Sequence, residues 1–420
     1  MQKISGANNK VILALIGAGG RGTDVAISMK KNIPEVEIKY LCEVDDMRGG
    51  RVIDEVSKLQ GYKPLRVRDM RQAFDDKDVN AVLICTPEHW HALASVWACE
   101  AGKDVYVEKN ISLNIDEGRK MIEAAREYKR IIQCGTQNRS AEYSLSAREY
   151  IQSGKLGRVF HVKCFCMLPG GKPWFLKPDS GVPEGLDWDL WLGPAERVPY
   201  NVSRHKAWYD WWAYSGGAAL AGDASHVMDL ARMVLGDPGH PGSVYCQGGR
   251  VLYDDKRDVP DIQSITYDYK KFSLTCVSSM FGDYMAKSDA SVRYGNNFPD
   301  WRLNATRIEI YGTEGMMYLG RHGGGWQVIS SGGEVVAREY GFFPDIEHQK
   351  DFIDAVKTRK LPNGDIEQGH FTATLVHLAN ISYRLGNKQL DFDPVSEMFI
   401  NSKEANDLCV INYRSGFELS

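Results

Sequence analysis

The feature that most constrains this chain is a glycine-rich turn placed directly after a short apolar run. Val11–Ile16 is continuously apolar and leads into Gly17-Ala18-Gly19-Gly20-Arg21-Gly22. A run without a polar face predicts a strand covered on both sides, as in a parallel sheet. Glycines at this spacing let the backbone approach a pyrophosphate, and the helix that follows turns free N–H groups and positive potential toward it. The pattern alone is weak, but it sits inside a larger unit. The next strand-like run, Val36–Cys42, ends at Glu43, 21 residues after Gly22. That is close to the spacing of about 20 expected for an acid that binds a ribose hydroxyl. A carboxylate there repels a 2′-phosphate, so NAD is expected over NADP, with Arg48 and Arg51 as the neighbouring charges that would soften the preference.

The alternation of strands and helices continues to about residue 135. Strands are predicted over Leu65–Arg68, Ala81–Thr86, Asp104–Glu108 and Ile131–Gly135, and helices over Trp90–Ala101 and Ile115–Tyr128. Asn114 followed by Glu117 supplies an N-cap with an acid three places on. Six strands in this order predict an α/β, doubly wound Rossmann dinucleotide-binding domain over residues 1–140. The rhythm then changes. After helices near Ser144–Ser153 and Asp223–Leu235, strand-like segments run in succession from Ser243 to Ser330, and Val159–Leu168 joins them. This predicts an α+β domain over residues 141–420 with a large open-faced, mainly antiparallel sheet. Helices near Ile346–Thr358 and Gln368–Leu385 close the chain.

Composition excludes several classes of function. Of 420 residues, 43% are apolar and 25% charged, with a formal net charge of −4. No basic surplus is present to neutralise a nucleic-acid backbone. No apolar run approaches the ~20 residues that span a bilayer. The nine cysteines are odd in number and form no C-x-x-C, so free thiols in a reducing compartment are expected, with neither a disulfide framework nor a metal centre. Cys164 and Cys166 share a strand face but have no His or Cys partner nearby in sequence. The start, Met1–Lys10, has no apolar h-region.

Chemistry concentrates at strand ends. The fourth strand runs into Thr86-Pro87-Glu88-His89-Trp90-His91 and the fifth into Glu108-Lys109-Asn110, and carboxyl ends of parallel strands are where such sheets hold ligands. Together with Gly102-Lys103-Asp104-Val105-Tyr106-Val107, Asp223-Ala224-Ser225-His226, Trp191-Leu192-Gly193-Pro194, Ile310-Tyr311-Gly312-Thr313-Glu314-Gly315 and Glu367-Gln368-Gly369-His370, these runs resemble the Gfo/Idh/MocA oxidoreductases (glucose–fructose oxidoreductase and inositol dehydrogenase relatives) over nearly the whole chain. The resemblance implies an NAD(P)-binding first domain and a second domain that carries substrate contacts and mediates assembly into a homo-oligomer, a dimer or tetramer. The cofactor set it implies is Gly17, Gly19, Gly20, Arg21, Gly22, Glu43, Thr86, Pro87, His89, His91, Glu108, Lys109, Gln137 and Asn138. Two positions depart from the family pattern. Asn110 stands where proline is usual, and Asp223 precedes His226 by three residues, leaving Asp229 as a rival partner for the histidine.

Oxidising a secondary alcohol needs a hydride acceptor, a base for the hydroxyl proton and a charge for the developing alkoxide. The expected roles are His226 as proton acceptor, titrating near neutrality, Lys109 as alkoxide stabiliser and proton relay, and Asp223 as orienter. Six of the ten tryptophans lie between 174 and 212. Trp174, Trp208, Arg139 and His226 are expected substrate contacts, because aromatic faces beside polar groups suit a sugar. Trp188 and Trp191 are expected to pack a loop, and His205 is open between the two roles. The function expected is an NAD-dependent sugar or polyol dehydrogenase acting on a small carbohydrate. The alternative is a glycoside-cleaving enzyme that oxidises C3, eliminates the aglycone and re-reduces with recycled NAD. Glu88-His89-Trp90-His91 and Gly19-Gly20-Arg21-Gly22 resemble the NAD-dependent α-N-acetylgalactosaminidases. The compartment expected is cytoplasmic, with a periplasmic alternative, because Ser5-Gly6-Ala7-Asn8-Asn9 resembles the segment after a twin-arginine leader.

Overall fold

The structure, a computed structural model, describes residues 10–217, 219–280 and 282–419. The twin-arginine-like segment 5–9 lies outside them. Six short strands form the first sheet: β1 (Val11–Ile16), β2 (Val36–Cys42), β3 (Leu65–Val67), β4 (Ala81–Ile84), β5 (Asp104–Val107) and β6 (Ile132–Cys134). They are all parallel, in the order β3-β2-β1-β4-β5-β6. The order reverses between β1 and β4, so both strands deliver their C-terminal turns to one crevice. Leu13, Leu15, Ile16, Leu83 and Ile84 are at most 1% exposed, which accounts for the absence of polar alternation in these runs.

Ten strands form the second sheet: β7 (Val159–Met167), β8 (Ser243–Gly249), β9 (Ile262–Asp268), β10 (Ser273–Ser279), β11 (Arg307–Gly312), β12 (Met316–Gly320), β13 (Trp326–Ile329), β14 (Val335–Glu339), β15 (Leu390–Asp393) and β16 (Met398–Phe399). The sheet is mixed: β7 and β10 pair in parallel at its centre, and the other pairs are antiparallel. Along β7 the side chains alternate, with Val162, Cys164 and Cys166 buried in one core with Val227 and Leu230 of the helix Ser225–Val234. Lys163 and Phe165 therefore occupy the opposite face.

The closing helices do not stay with the second sheet. Phe352 and Ile353 of the helix Asp345–Thr358 share a core with Leu13, Leu83 and Tyr106 of the first. On the helix Ile366–Arg384, His370 packs against Gly118 and, with His240, faces the carboxylate of Glu397 at 3.0 and 2.8 Å. Arg119 Nε donates to the same carboxylate at 3.1 Å. Among the described residues these are the one His/Cys/Asp/Glu group with metal-ligand spacing. Arg119 already supplies its counter-charge, so the group joins the helix Ile115–Glu127 to the C-terminal strands as a hydrogen-bonded hub.

Candidate active site

The glycine turn is built to admit close backbone contact. Gly17 has φ +88°, and a Cβ there would meet Cys85 O at 2.8 Å. A Cβ on Gly22 would meet Gly17 O at 2.1 Å. The helix Gly20–Asn32 can therefore abut β1 only with glycine at 22, and its first N–H groups open toward the crevice. Glu43, at the end of β2, is buried, and its carboxylate accepts N–H bonds from Ala18 at 2.9 Å and Asp45 at 3.0 Å. These two bonds hold the acid at the mouth of the turn, where a ribose diol would meet it. A glycine cradle that a Cβ would fill, with a fixed acid beside it, fits a dinucleotide.

A cavity of about 490 Å³ runs from this turn to the second sheet. Of the residues expected to bind cofactor, Gly17, Gly19, Gly20, Arg21, Glu43, Thr86, Pro87, His91, Glu108, Lys109 and Gln137 line it. Gly22 acts one layer back, through the contact just described. Two expected members do not reach the cavity. His89 is buried with Nε2 donating to Trp191 O at 2.9 Å, and burial pushes its pKa down to about 4, so it holds the tryptophan segment. Asn138 donates to Tyr143 Oη at 2.7 Å and Arg321 O at 3.0 Å. His91 lines the cavity but is not free to bind through its nitrogens. Nδ1 faces Asn110 O at 2.7 Å and Nε2 faces Thr86 O at 2.9 Å. It ties together the turns after β4 and β5. The Lys109–Asn110 peptide is cis, at the position where the family pattern has proline.

Arg21 reaches across the cleft floor. Its Nε donates to Glu108 Oε1 at 2.7 Å and its Nη2 to Asp345 Oδ1 at 3.2 Å. Burial pushes the Glu108 carboxyl up, but the Arg21 charge and hydrogen bond outweigh it and hold the acid ionised. Glu88, in the turn after β4, is 4% exposed and accepts Gly216 N–H at 2.7 Å. Burial raises its pKa to about 7 against the pull of Lys109.

Lys109 and His226 both line the cavity, close enough for the Lys109 charge to act on the imidazole. Lys109 Nζ donates to Ala221 O at 3.3 Å. His226 is 6% exposed, and burial, then the charges of Arg321 and Lys109, push its pKa well below the ordinary imidazole value. This corrects the expectation that it titrates near neutrality. The ring is neutral at pH 7 and free to accept a proton.

Asp223 does not orient it. The helix expected from Asp223 begins only at Ser225, because Gly222 (ψ −115°) breaks it and Leu220–Ala224 form a wider π-turn. The i,i+3 proximity of a regular helix is lost. Asp223 instead pairs with Lys287 and lies 3.7 Å from His322 Nε2. Among the described residues no hydrogen bond links it to His226. The rival, Asp229, is committed to Arg139 at 2.8 Å and to Thr372 at 2.8 Å. Arg139 itself is 3% exposed, paired to Asp229 and Asp237, and lies outside the cavity wall. It is a structural ion pair where a substrate contact was expected.

The tryptophan segment divides similarly. Trp208 lines the cavity, whereas Trp174 lies outside its wall and donates Nε1–H to Asp210 at 3.0 Å. Trp188 and Trp191 stack with centroids 4.6 Å apart inside a separate small core, as expected of packing residues, although one edge of Trp191 reaches the cavity. His205 also lines the cavity, its pKa lowered to about 4 by burial. Sequence reasoning missed Arg293, Arg321 and Phe343, which reach the cavity from the second domain: Arg293 ends a short helix, and Arg321 and Phe343 stand in connections after β12 and β14. The available signal was the run Gly323-Gly324-Gly325, all at positive φ, just after Arg321.

Comparison with known proteins agrees with this geometry. Residues 11–136 match the NAD-binding Rossmann fold of an oxidoreductase family, and residues 171–290 and 313–419 match that family's C-terminal α/β domain. A scyllo-inositol 2-dehydrogenase (NAD(+)) of Bacillus subtilis (strain 168) is 27% identical over 315 residues, 74% of each chain. A glycosyl hydrolase family 109 protein of Shewanella pealeana is 29% identical over 160 residues, only 36% of this chain and 34% of its own. The fold of a levoglucosan dehydrogenase solved with NADH and levoglucosan superposes with a TM-score of 0.64 at 18% identity, covering 91% of this chain and 99% of that one. With both of its domains matched, the chain belongs to the Gfo/Idh/MocA oxidoreductase family.

Proposed function

We propose that this protein is an NAD-dependent dehydrogenase that oxidises a secondary alcohol of a sugar, sugar derivative or polyol. The observation that carries the reading is a lysine and a neutral, buried histidine, within reach of each other's charge, lining one cleft with the glycine turn. The bound NAD supplies the hydride acceptor. The backbone N–H groups at Gly19–Gly22 hold its pyrophosphate and Glu43 its ribose. His226 takes the hydroxyl proton on its imidazole. Lys109 Nζ donates a hydrogen bond to the same oxygen and stabilises the alkoxide that forms. Thr86, Pro87 and Gln137 wall the nicotinamide half, and Trp208 offers an aromatic face to the sugar.

The dehydrogenase reading is preferred to glycoside cleavage because the inositol dehydrogenase matches along both domains. The family 109 relative matches over about a third of this chain. Measuring turnover of Lys109→Ala and His226→Ala beside NADH affinity tests the assignment. General acid–base groups contribute about 10²–10⁴-fold, so kcat should fall by that much with cofactor affinity retained. Near-normal turnover in folded variants would remove both residues from the chemistry.

A homo-oligomer is the proposed assembly, with the sheet face opposite the helices as its contact. That face carries the half-buried Phe165, Tyr311 and Tyr318. Light scattering against concentration decides it, a monomer at micromolar concentration being the contrary result. No helix among the described residues is long and apolar enough to cross a membrane. A cytoplasmic site is proposed because all nine cysteines are free thiols. Recovery of the native protein from a periplasmic fraction would refute it.

A further inference from the structure

The wall of the cavity nearest the second sheet carries more positive charge than the protein itself balances. Arg321, directly after β12, is 3% exposed, yet its Nε and Nη1 are buried without a hydrogen-bond partner. Arg293, on the short helix Ala290–Arg293, also lines the cavity and leaves a buried Nε unpaired. The two guanidiniums share one support, standing 4.8 and 4.2 Å from the centre of the Phe343 ring. The bond from Asn138 Nδ2 to Arg321 O, at 3.0 Å, fixes the backbone from which Arg321 projects.

The nearby carboxylates are already engaged. Asp223 pairs with Lys287 and lies 3.7 Å from His322, and Asp345 accepts from Arg21; both carboxylates act on Arg321 through their charge, but among the described residues neither is hydrogen-bonded to it. Arg21, the arginine of the glycine turn, is itself held by Glu108 and Asp345. Lys109 adds a further positive charge beside His226. Stabilising one alkoxide requires one such charge, so the two arginines exceed what the hydride transfer needs. A desolvated guanidinium with donors that no anion accepts is a costly element to hold in a fold, and a carboxylate bound to those donors relieves it. The planar fork of donors matches a carboxylate in bidentate fashion.

Resting on the dehydrogenase reading above, we propose that the substrate is a sugar acid, an aldonate or uronate, whose carboxylate is gripped by Arg321 and Arg293 while one of its hydroxyls meets Lys109 and His226. The arginines fix which hydroxyl is presented, because they anchor one end of the molecule at the second sheet.

The test compares D-gluconate, D-galactonate, D-glucuronate and D-galacturonate with D-glucose, D-galactose and myo-inositol, and with D-glucose 6-phosphate. Two readouts are used: NAD reduction, and calorimetric binding to the enzyme–NADH complex. A site built to hydrogen-bond a charged group rejects analogues that lack it. The preferred acid should exceed its neutral parent by about 10²-fold in kcat/KM, and by a similar factor in binding. In Arg321→Met that ratio should collapse to below about 10, with Arg321→Lys between, and NADH affinity reports the integrity of the fold in each. Neutral sugars used or bound as well as the acids would overturn the proposal and leave the dehydrogenase reading intact. A preference for the phosphate over every carboxylate would overturn it as well, as would an acid preference that survives Arg321→Met. If acids bind selectively but no compound reduces NAD, the carboxylate site stands and the dehydrogenase reading falls.

Discussion

Replacing Gly22 by alanine probes the cradle on which cofactor binding rests. The added Cβ lies 2.1 Å from Gly17 O, where real Cβ atoms approach no closer than 3.0 Å, and the obstacle is backbone that cannot rotate away. Relief requires the helix Gly20–Asn32 to retreat from β1 by almost 1 Å, carrying the pyrophosphate-binding N–H groups with it. A misplacement of about 1 Å in a positioned site costs on the order of 10²-fold, or about 3 kcal/mol of binding free energy at roughly 1.4 kcal/mol per decade. The assay is titration of NADH against tryptophan fluorescence, with circular dichroism to establish the fold. Gly50→Ala serves as the control. It begins the helix Gly50–Gln60, and its Cβ would meet nothing within 4 Å. Its affinity should be unchanged and its stability equal or higher by about 0.5–1 kcal/mol. An NADH dissociation constant within threefold of wild type in a folded Gly22→Ala protein would refute the close-approach argument.

Three further outcomes follow from the buried charges. Glu88 has its pKa raised by burial from an ordinary 4.5 to about 7, so its protonated form stabilises the fold below the unfolded value, and that contribution is lost as pH rises through 7. Denaturation of Glu88→Gln against wild type from pH 4 to 9 should show a gap that opens with pH and levels near about 3 kcal/mol; a constant gap contradicts the assignment. Arg139→Ala strands the Asp229 carboxylate, 1% exposed, and should cost about 3–5 kcal/mol of stability with the sugar KM of the folded fraction unchanged, whereas a raised KM at normal stability would return Arg139 to the substrate. His226, held neutral by burial and by Arg321 and Lys109, loses its role as proton acceptor only when protonated, so kcat/KM should keep its value as pH falls past the usual imidazole range; an acidic limb near pH 6.5 assigned to His226 would oppose that.

The first sheet was legible because its central strands β1 and β4 are buried and read as unbroken apolar runs. Strands β2 and β3, which carry charged residues, were placed by the strand–helix alternation around them, and the strand ends fall within two residues of those expected. Glu43, Lys109 and His226 were legible for a related reason: strand ends and a helix start bring them to the cleft whatever the rest of the chain does. The edge strands β14 and β16, and the short β15 beside the latter, were not, since Val335 and Val336 are exposed and a two-residue strand such as β16 carries no period. Asp223 was misplaced because a regular helix was expected to start at Asp223, whereas the kink at Gly222 delays it to Ser225. Arg139 and Trp174 were misassigned for a common cause. Residue type suggests polarity and stacking, but whether a side chain meets solvent or another charge is decided by partners as distant in sequence as Asp229 and Asp210. Arg293 and Arg321 were missed because one ends a short helix and the other follows β12, and the long-range packing of the second domain, not a neighbouring motif, brings both to the cavity.

The central claim is direct, net hydride transfer from a carbohydrate carbinol to NAD at Lys109 and His226. Its most direct test incubates the protein with NAD and a panel of acidic sugars, neutral sugars and nitrophenyl glycosides, following NADH absorbance, oxidised product by mass spectrometry and nitrophenol release together. NADH and keto-sugar should accumulate one for one from an unglycosylated sugar, and should cease in Lys109→Ala. Nitrophenol release without net NADH would contradict the account and move the chemistry to oxidation, elimination and re-reduction with recycled NAD.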